Sequence, residues 1–250
     1  MNSATVRKLL VRGMLAGLAA GVLALVAAYF LGEPNVDKAI GFEEAHAHEH
    51  EMEIVSRGLQ STAGLATGVL VYGVAFGGIA ALAYCFALGR VGRFGPRATA
   101  LLLSGCALLA VYVVPFLKYP ANPPAVGNAD TIGRRTTLYF LMMVLSVLLA
   151  VAATILGKRL APRLGNWYAT VVAVAAFALL IGLAFAFLPA VNEVPAHFPA
   201  TVLWRFRLSA LAVQLTLWGA FGLAFGELAE RLLNPRPAKA AAPSAVTAAG

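Results

Sequence analysis

Asp, Glu, Lys, Arg and His are missing from the six longest apolar runs of this chain. Asp, Glu, Lys and Arg make up only 12% of its 250 residues, whereas they make up about 25% of an ordinary soluble domain. Each run is long enough to cross a bilayer, which takes about 20 helical residues. The runs are Gly13–Leu31, Ser61–Leu88, Ala98–Leu117, Thr136–Gly157, Trp167–Ala190 and Leu208–Gly226. We therefore predict an all-α membrane protein with six transmembrane helices.

The sequence also lacks the patterns of several other protein classes. The residue alternation of a membrane barrel strand is absent, so helix is the structure that satisfies the backbone inside hydrocarbon. There is no P-loop, dinucleotide fingerprint, nucleophile elbow or zinc-protease motif, and no basic domain able to hold a nucleic acid. We expect no enzymatic activity, no permanently bound cofactor and no nucleic-acid partner.

Only two cysteines occur, and both Cys85 and Cys106 fall inside apolar runs. We interpret them as small apolar residues. A disulfide, or a site for a soft metal within the membrane, stays open as the alternative.

Lysine and arginine are distributed unequally between alternate loops. The N-terminus, the short loops 89–97 and 158–166 and the C-terminal tail hold twelve of them, and the three longer loops hold seven. The positive-inside rule then puts both termini in the cytoplasm. Cleavage of the first helix as a signal peptide, near Ala27, is the alternative.

This topology defines two regions. Residues 1–232 form the six-helix domain, with outer loops 32–60, 118–135 and 191–207. Residues 233–250 are rich in Ala and Pro and predict a disordered cytoplasmic tail. We expect a multi-pass protein of the bacterial inner membrane.

The first outer loop contains an unusual segment, EEAHAHEHEME, at residues 43–53. Imidazole and carboxylate together suit Co²⁺, Ni²⁺, Zn²⁺ and Cu²⁺. A helix would put Glu43, His46, His50 and Glu53 on one face, and an extended chain would point all three histidines the same way. The predicted ligands are His46, His48, His50, Glu43, Glu44, Glu49 and Glu53. A solvated acidic loop without metal is the alternative.

Further candidates lie in the other outer loops and in the last helix. His197 and Glu193 are weaker candidate ligands that would complete a metal path. The candidate transport path comprises Glu33, Tyr119, Asn122, Arg205 and Gln214. Arginine closes each outer loop, and we interpret these side chains as snorkelling to the lipid headgroups. They are Arg57, Arg134, Arg135, Arg205 and Arg207.

Glycines recur four residues apart in three of the apolar runs. This spacing lets helix backbones approach closely in lipid, either within the chain or in a homo-oligomer. The glycines are Gly13, Gly17 and Gly21, then Gly64 and Gly68, Gly73 and Gly77, and Gly222 and Gly226.

Several loop strings resemble the CbtA family of predicted cobalt transporter subunits. They are GEPNVDKAI and SRGLQSTAGLATG in the first hairpin, PFLKYPANPPAVG at 115–127 and LPAVNEVPAHFPATVLWRFRLSALAVQLTLW at 188–218. The resemblance covers residues 7–232. The family-type positions are Glu33, Pro34, Glu44, Lys118, Tyr119, Pro120, Asn122, Pro123, Pro124, Glu193, Pro195, Phe198, Pro199, Trp204, Arg205 and Phe206.

The resemblance implies an inner-membrane protein of bacteria that takes part in Co²⁺ uptake for cobalamin synthesis. It also implies a small partner subunit of the CbtB type, with one span and a histidine-rich terminus. The chain departs from the nickel/cobalt permeases, which place His and Asp inside a helix. We therefore keep a second hypothesis, a non-transporting metal-binding or assembly protein that docks a transporter partner.

Overall fold

The computed structural model describes residues 1–46 and 55–235. Within these residues the chain forms helices joined by short π-helical or 3-10 segments and loops, and contains no strand. The predicted all-α class is therefore confirmed for this part of the chain. The α-helices are α1 Ser3–Ala27, α2 Glu33–His46, α3 Arg57–Leu59, α4 Leu65–Ala87, α5 Pro96–Ala107, α6 Val114–Lys118, α7 Ile132–Phe187 and α8 Ala200–Leu233.

Three π-helical segments join neighbouring helices into longer ones. They are Ala28–Gly32, Gln60–Gly64 and Leu108–Val113. Five of the resulting helices in the described residues are long and apolar enough to cross a membrane. These are Ser3–Ala45, Arg57–Ala87, Pro96–Lys118, Ile132–Phe187 and Ala200–Leu233. Residues 33–46, which we predicted to be loop, continue the first helix instead, because the π-helical segment carries the chain on without a break.

Helix α7 contains two of the predicted runs, joined at a kink. Its 56 residues would make a straight helix about 84 Å long, far more than the hydrocarbon thickness of about 30 Å. Gly165 leaves helical geometry with φ of 74° and ψ of 163°, a conformation that glycine adopts because it has no Cβ. Pro162, just before it, cannot donate a helical hydrogen bond. The kink lies in the predicted loop 158–166.

The two halves of α7 pack against each other. A Cβ built on Gly157 would lie 3.3 Å from the Cβ of Ala173, although a straight helix would separate these residues by about 24 Å. Met142 and Ile181 also share one buried cluster. Helix α7 is therefore a helical hairpin with its tip near Gly165. The hairpin packs against α6 and leaves most of its apolar surface exposed.

Helices α1 and α4 touch along their glycines. A Cβ on Gly73 would lie 2.7 Å from the carbonyl oxygen of Gly17. A Cβ on Gly77 would lie 2.9 Å from the Cα of Gly17. Helix α1 also packs against α8, and α8 packs against α5, where a Cβ on Gly222 would lie 3.0 Å from the Cβ of Ser104. Most of the predicted glycine faces thus serve packing within the chain, whereas Gly68 has open space around it.

Aromatic side chains fill the space between α4 and α8. Phe76 lies edge-on to Trp218 with ring centroids 4.5 Å apart, and Tyr84 lies edge-on to Phe225 at 5.0 Å. The buried Ser104 hydroxyl donates to the carbonyl oxygen of Trp218 at 2.5 Å. These contacts join α8 to both α4 and α5.

Candidate functional site

The basic loops that we predicted to be cytoplasmic lie together at one end of the molecule. The Arg12 guanidinium donates to the carbonyl oxygen of Leu228 at 2.6 Å, and the Lys158 ammonium donates to that of Arg90 at 2.7 Å. An ion pair of 2.7 Å joins Arg97 and Glu227. We call this end the basic end.

The three predicted outer loops meet at the opposite end of α1, which we call the loop end. Ala39 of α2 is buried together with Val126 and Phe198, which come from the second and third outer loops. The ring of Phe42 lies edge-on to that of Phe198, with centroids 5.0 Å apart. One apolar contact therefore brings all three loops together, and the polar side chains around it become neighbours.

Helix α2 carries an acidic face at the loop end. Glu33, Asp37 and Glu44 are spaced by four and seven residues, so they share one side of the helix. Arg57 pairs with Glu33 and with Asp37, whose Oδ1 lies 2.9 Å from the Arg57 guanidinium. The side chain of Glu33 is only 14% exposed. Two carboxylates thus share one cation, and one negative charge is left over.

A cavity of about 240 Å³ lies against this acidic face. Its lining combines aromatic rings, two carboxylates and a hydroxyl: Tyr29, Phe30, Glu33, Pro34, Asp37 and Ser61. Oxygen ligands of this kind accept divalent cations. Glu33, one of the predicted path residues, is therefore placed beside a pocket.

The segment EEAHAHEHEME at residues 43–53 begins within this helix. Glu43 and Glu44 are exposed on α2, and the described part of the segment runs to His46. The predicted ligands His48, Glu49, His50 and Glu53 lie outside the described residues. Among residues 1–46 and 55–235, no three His, Cys, Asp or Glu side chains come close enough together to hold a metal ion.

Glu193 connects the second and third outer loops. One of its carboxylate oxygens accepts a hydrogen bond of 2.6 Å from the Thr131 hydroxyl, and the other accepts one of 3.0 Å from the backbone N–H of Asn128. Arg135 Nε lies 3.3 Å from that second oxygen. The hydrogen bond from Thr131, followed by that from Asn128, lowers the pKa of Glu193 below its ordinary value. Burial opposes this shift, and the charges of Arg135 and Arg134 assist it.

These contacts decide what the weaker predicted ligands can do. A carboxylate has about four lone-pair sites, and Glu193 already accepts two hydrogen bonds and pairs with Arg135. His197 is exposed, and the described residues form no group of metal ligands around it. The structure therefore assigns Glu193 to joining two loops.

A second cavity, of about 340 Å³, opens beside Glu193, and we call it the arginine cavity. It is lined by Tyr119, Pro120, Asn122, Val126, Ile132, Arg135, Thr136, Tyr139, Val191, Asn192, Glu193, Val194 and Arg207. The Arg207 guanidinium donates to Asn122 Oδ1 at 3.0 Å and to the carbonyl oxygen of Ala121 at 3.3 Å. The Tyr119 hydroxyl donates to the carbonyl oxygen of Pro189 at 2.9 Å. Two predicted path residues, Tyr119 and Asn122, therefore lie in one cavity.

Sequence reasoning missed the roles of the loop-closing arginines. We interpreted Arg57, Arg135 and Arg207 as snorkelling side chains, but all three contact oxygen atoms of the outer loops. Arg57 and Arg135 pair with carboxylates, and Arg207 donates to an amide oxygen and to a backbone carbonyl oxygen. Their position at the end of every outer loop was the available signal. Arg205, the predicted path residue, is exposed.

The remaining predicted groups lie within the helices. Gln214 Oε1 accepts a hydrogen bond of 3.1 Å from Trp218 Nε1, one turn later on α8. The amide oxygen of Gln214 is therefore already occupied by a hydrogen bond within α8. Cys85 and Cys106 are both free, so they do not form a disulfide with each other.

Comparison with known proteins identifies the family. No curated protein and no solved structure matches the chain. A family model described as "Probable cobalt transporter subunit (CbtA)" matches residues 6–230, which include every helix that is long enough to span a membrane apart from a few terminal residues. The chain is therefore a multi-pass membrane protein of the CbtA family of probable cobalt transporter subunits.

Proposed function

We propose that this chain is the membrane subunit of a Co²⁺ uptake system, which receives the cation at the loop end. It crosses the bacterial inner membrane six times, with both termini in the cytoplasm. The membership of the CbtA family supports the cargo. The folding back of α7 at Gly165 supports two crossings within that one helix.

One observation carries the proposed entry site, namely the acidic face of α2. Glu33, Asp37 and Glu44 lie along one side of α2, and this helix also contains the first residues of the segment 43–53. Cations attracted by the glutamates and histidines of residues 43–53 would meet the carboxylates of Glu33 and Asp37 next. A surface of one charge sign raises the local concentration of the opposite ion. Ni²⁺, Zn²⁺ and Cu²⁺ would bind the same ligands.

The test is ⁵⁷Co²⁺ accumulation in cells that express the full chain together with its small histidine-rich partner subunit. Deleting residues 43–53, or changing Glu43→Gln and Glu44→Gln together, should reduce uptake at limiting Co²⁺ by about tenfold, the lower end of what electrostatic focusing supplies. Uptake at saturating Co²⁺ should change little.

A matched control removes two carboxylates from the basic end instead. The Glu227→Gln and Glu230→Gln double variant should keep its uptake at limiting Co²⁺, provided that its amount in the membrane equals that of the wild type. Normal uptake by the deletion variant would rule out the entry role of the segment.

A second function is favoured by the polar groups of α5 and α8. Ser104 of α5 and Gln214 of α8 both bond to Trp218, which leaves them poorly placed to line a path through the helices. On this alternative the chain binds metal and docks a partner that transports it. Proteoliposomes separate the two functions. Transport requires Co²⁺ entry with the purified chain, alone or with the small subunit, whereas an assembly protein gives no entry in either case.

A further inference from the structure

The arginine cavity has the wrong charge for a free divalent cation. Three charged residues line it, namely Arg135, Arg207 and Glu193, so its net charge is positive. Arg134 adds to this field, because its charge also acts on Glu193. A Co²⁺ ion in the cavity would be repelled by two guanidinium groups, and a small anion would be attracted.

The cavity also has more free hydrogen-bond donors than acceptors. The carboxylate of Glu193 and the amide oxygen of Asn122 already accept hydrogen bonds from the protein. In contrast, Arg135 Nε is buried and makes no hydrogen bond, although the ion-paired Glu193 oxygen lies 3.3 Å away. Arg207 uses only Nε and one of its terminal nitrogens.

Two residues that carry hydroxyl groups also line the cavity. They are Thr136, which follows Arg135 directly, and Tyr139, which lies one helical turn after Arg135. Buried donors without acceptors are unfavourable, so an anion that accepts from the Arg135 and Arg207 guanidinium groups would stabilise the arrangement. Guanidinium groups bind carboxylate and phosphate oxygens in pairs.

We propose that the arginine cavity is a binding site for a small oxyanion of the carboxylate or phosphate class, held by Arg135 and Arg207. The volume of about 340 Å³ lies near the lower end of small-molecule pockets, roughly 300 to 1,000 Å³, and fits an anion the size of citrate or a lipid phosphate group. This site is separate from the acidic face of α2 and does not depend on Co²⁺ being the cargo.

The test uses the full chain in nanodiscs of zwitterionic lipid, with calorimetric titration of sodium citrate and of sodium phosphate. We expect at least one of them to bind with one anion per protein. Arg135→Gln and Arg207→Gln should each weaken that binding by about tenfold, which corresponds to the loss of a charge-assisted hydrogen bond. Arg93→Gln, which removes the same charge from the loop at the basic end, should bind like the wild type.

A lipid source of the phosphate is tested separately. Native mass spectrometry of the chain in nanodiscs that contain phosphatidylglycerol should show one retained lipid that is lost in Arg135→Gln, if the lipid headgroup is the occupant. Retention of that lipid without binding of citrate or free phosphate supports the same site with a lipid ligand.

Two further measurements keep the proposal testable if a variant folds poorly. Tyr139→Phe removes one hydroxyl and should weaken anion binding while leaving the melting temperature unchanged. Titration with CoCl₂ should give the same result for Arg135→Gln as for the wild type, which separates this site from the cation site. Wild-type protein that binds none of the three anions, or Arg135→Gln that binds them as tightly as the wild type, would overturn the proposal.

Discussion

At the scale of single residues, Glu193 is one of the polar groups that hold the second and third outer loops together. Its hydrogen bonds from Thr131 and Asn128 lower its pKa below the ordinary value of 4.5. A carboxyl group with a lowered folded-state pKa contributes stability that is present above the unfolded-state value and is lost as the pH falls through the folded-state value.

This linkage predicts an acid-sensitive contact. The melting temperature of the detergent-solubilised wild type should be steady above pH 4.5 and should fall as the solution becomes more acidic. Glu193→Gln should have a lower melting temperature at neutral pH and a smaller decrease on acidification, because its side chain does not titrate. A decrease as steep as that of the wild type would show that other carboxyl groups are responsible.

The roles of the arginines show where sequence reasoning ends. Arginine at the close of each outer loop is visible in the sequence, but its partners lie far away in the chain. Arg207 donates to a residue 85 positions earlier, and Arg135 pairs with Glu193 in another loop. Such pairs depend on how the loops pack. The sequence therefore indicated which residue types lie in the outer loops, but it did not indicate that some of them line one cavity.

At the scale of secondary-structure elements, the contact between α1 and α4 depends on missing side chains. Gly17→Ala would place a Cβ against the backbone of Gly73 and 2.8 Å from the Cα of Gly77. Neither backbone atom can move independently of its helix, so we expect a loss of about 1 to 3 kcal/mol in the free energy of unfolding.

Gly68→Ala is the matched control for this prediction. It adds the same methyl group to α4 where nothing lies within 4 Å, and it should be neutral or stabilising by up to about 1 kcal/mol, because alanine favours the helix. Unfolding in a titration with a denaturing detergent measures both variants. Equal stability of the two variants would contradict the close backbone contact.

The hairpin of α7 is testable by cross-linking. The Cβ distance of 3.3 Å between positions 157 and 173 is close to the distance of about 3.8 Å in disulfides. In a chain without its two native cysteines, Gly157→Cys with Ala173→Cys should form an intramolecular disulfide on mild oxidation. Gly157→Cys with Val174→Cys should not, because Val174 points outward and is 60% exposed. A straight α7 would give no disulfide in either pair.

The apolar runs predicted the helices well. A run of about 20 apolar residues without a charged side chain is typical of a helix that crosses a bilayer. The sequence did not indicate that residues 33–46 continue the first helix. Their Pro34, Asn35 and Gly41 read as breaks, yet the prolyl ring is tolerated in the first turn after the π-helical segment. Packing of Ala39 against Val126 and Phe198 then favours the helix.

At the scale of the whole molecule, charge separates the two ends. The acidic face of α2 and the arginine cavity both lie at the loop end, whereas most of the remaining arginines and lysines lie at the basic end, as in the contacts of Arg12, Arg97 and Lys158. The two proposed sites have opposite net charges, so one end of the molecule offers separate sites for a cation and an anion.

The proposed uptake of Co²⁺ requires the loop end to face the outside of the cell. Single cysteines at Glu44 and at Arg159, in a chain without native cysteines, should be treated in intact cells with a thiol reagent that does not cross membranes. We predict that the cysteine at position 44 reacts at once and that the one at position 159 reacts only after the membrane is permeabilised. Protection of position 44 in intact cells, with labelling of position 159, would contradict uptake through the loop end.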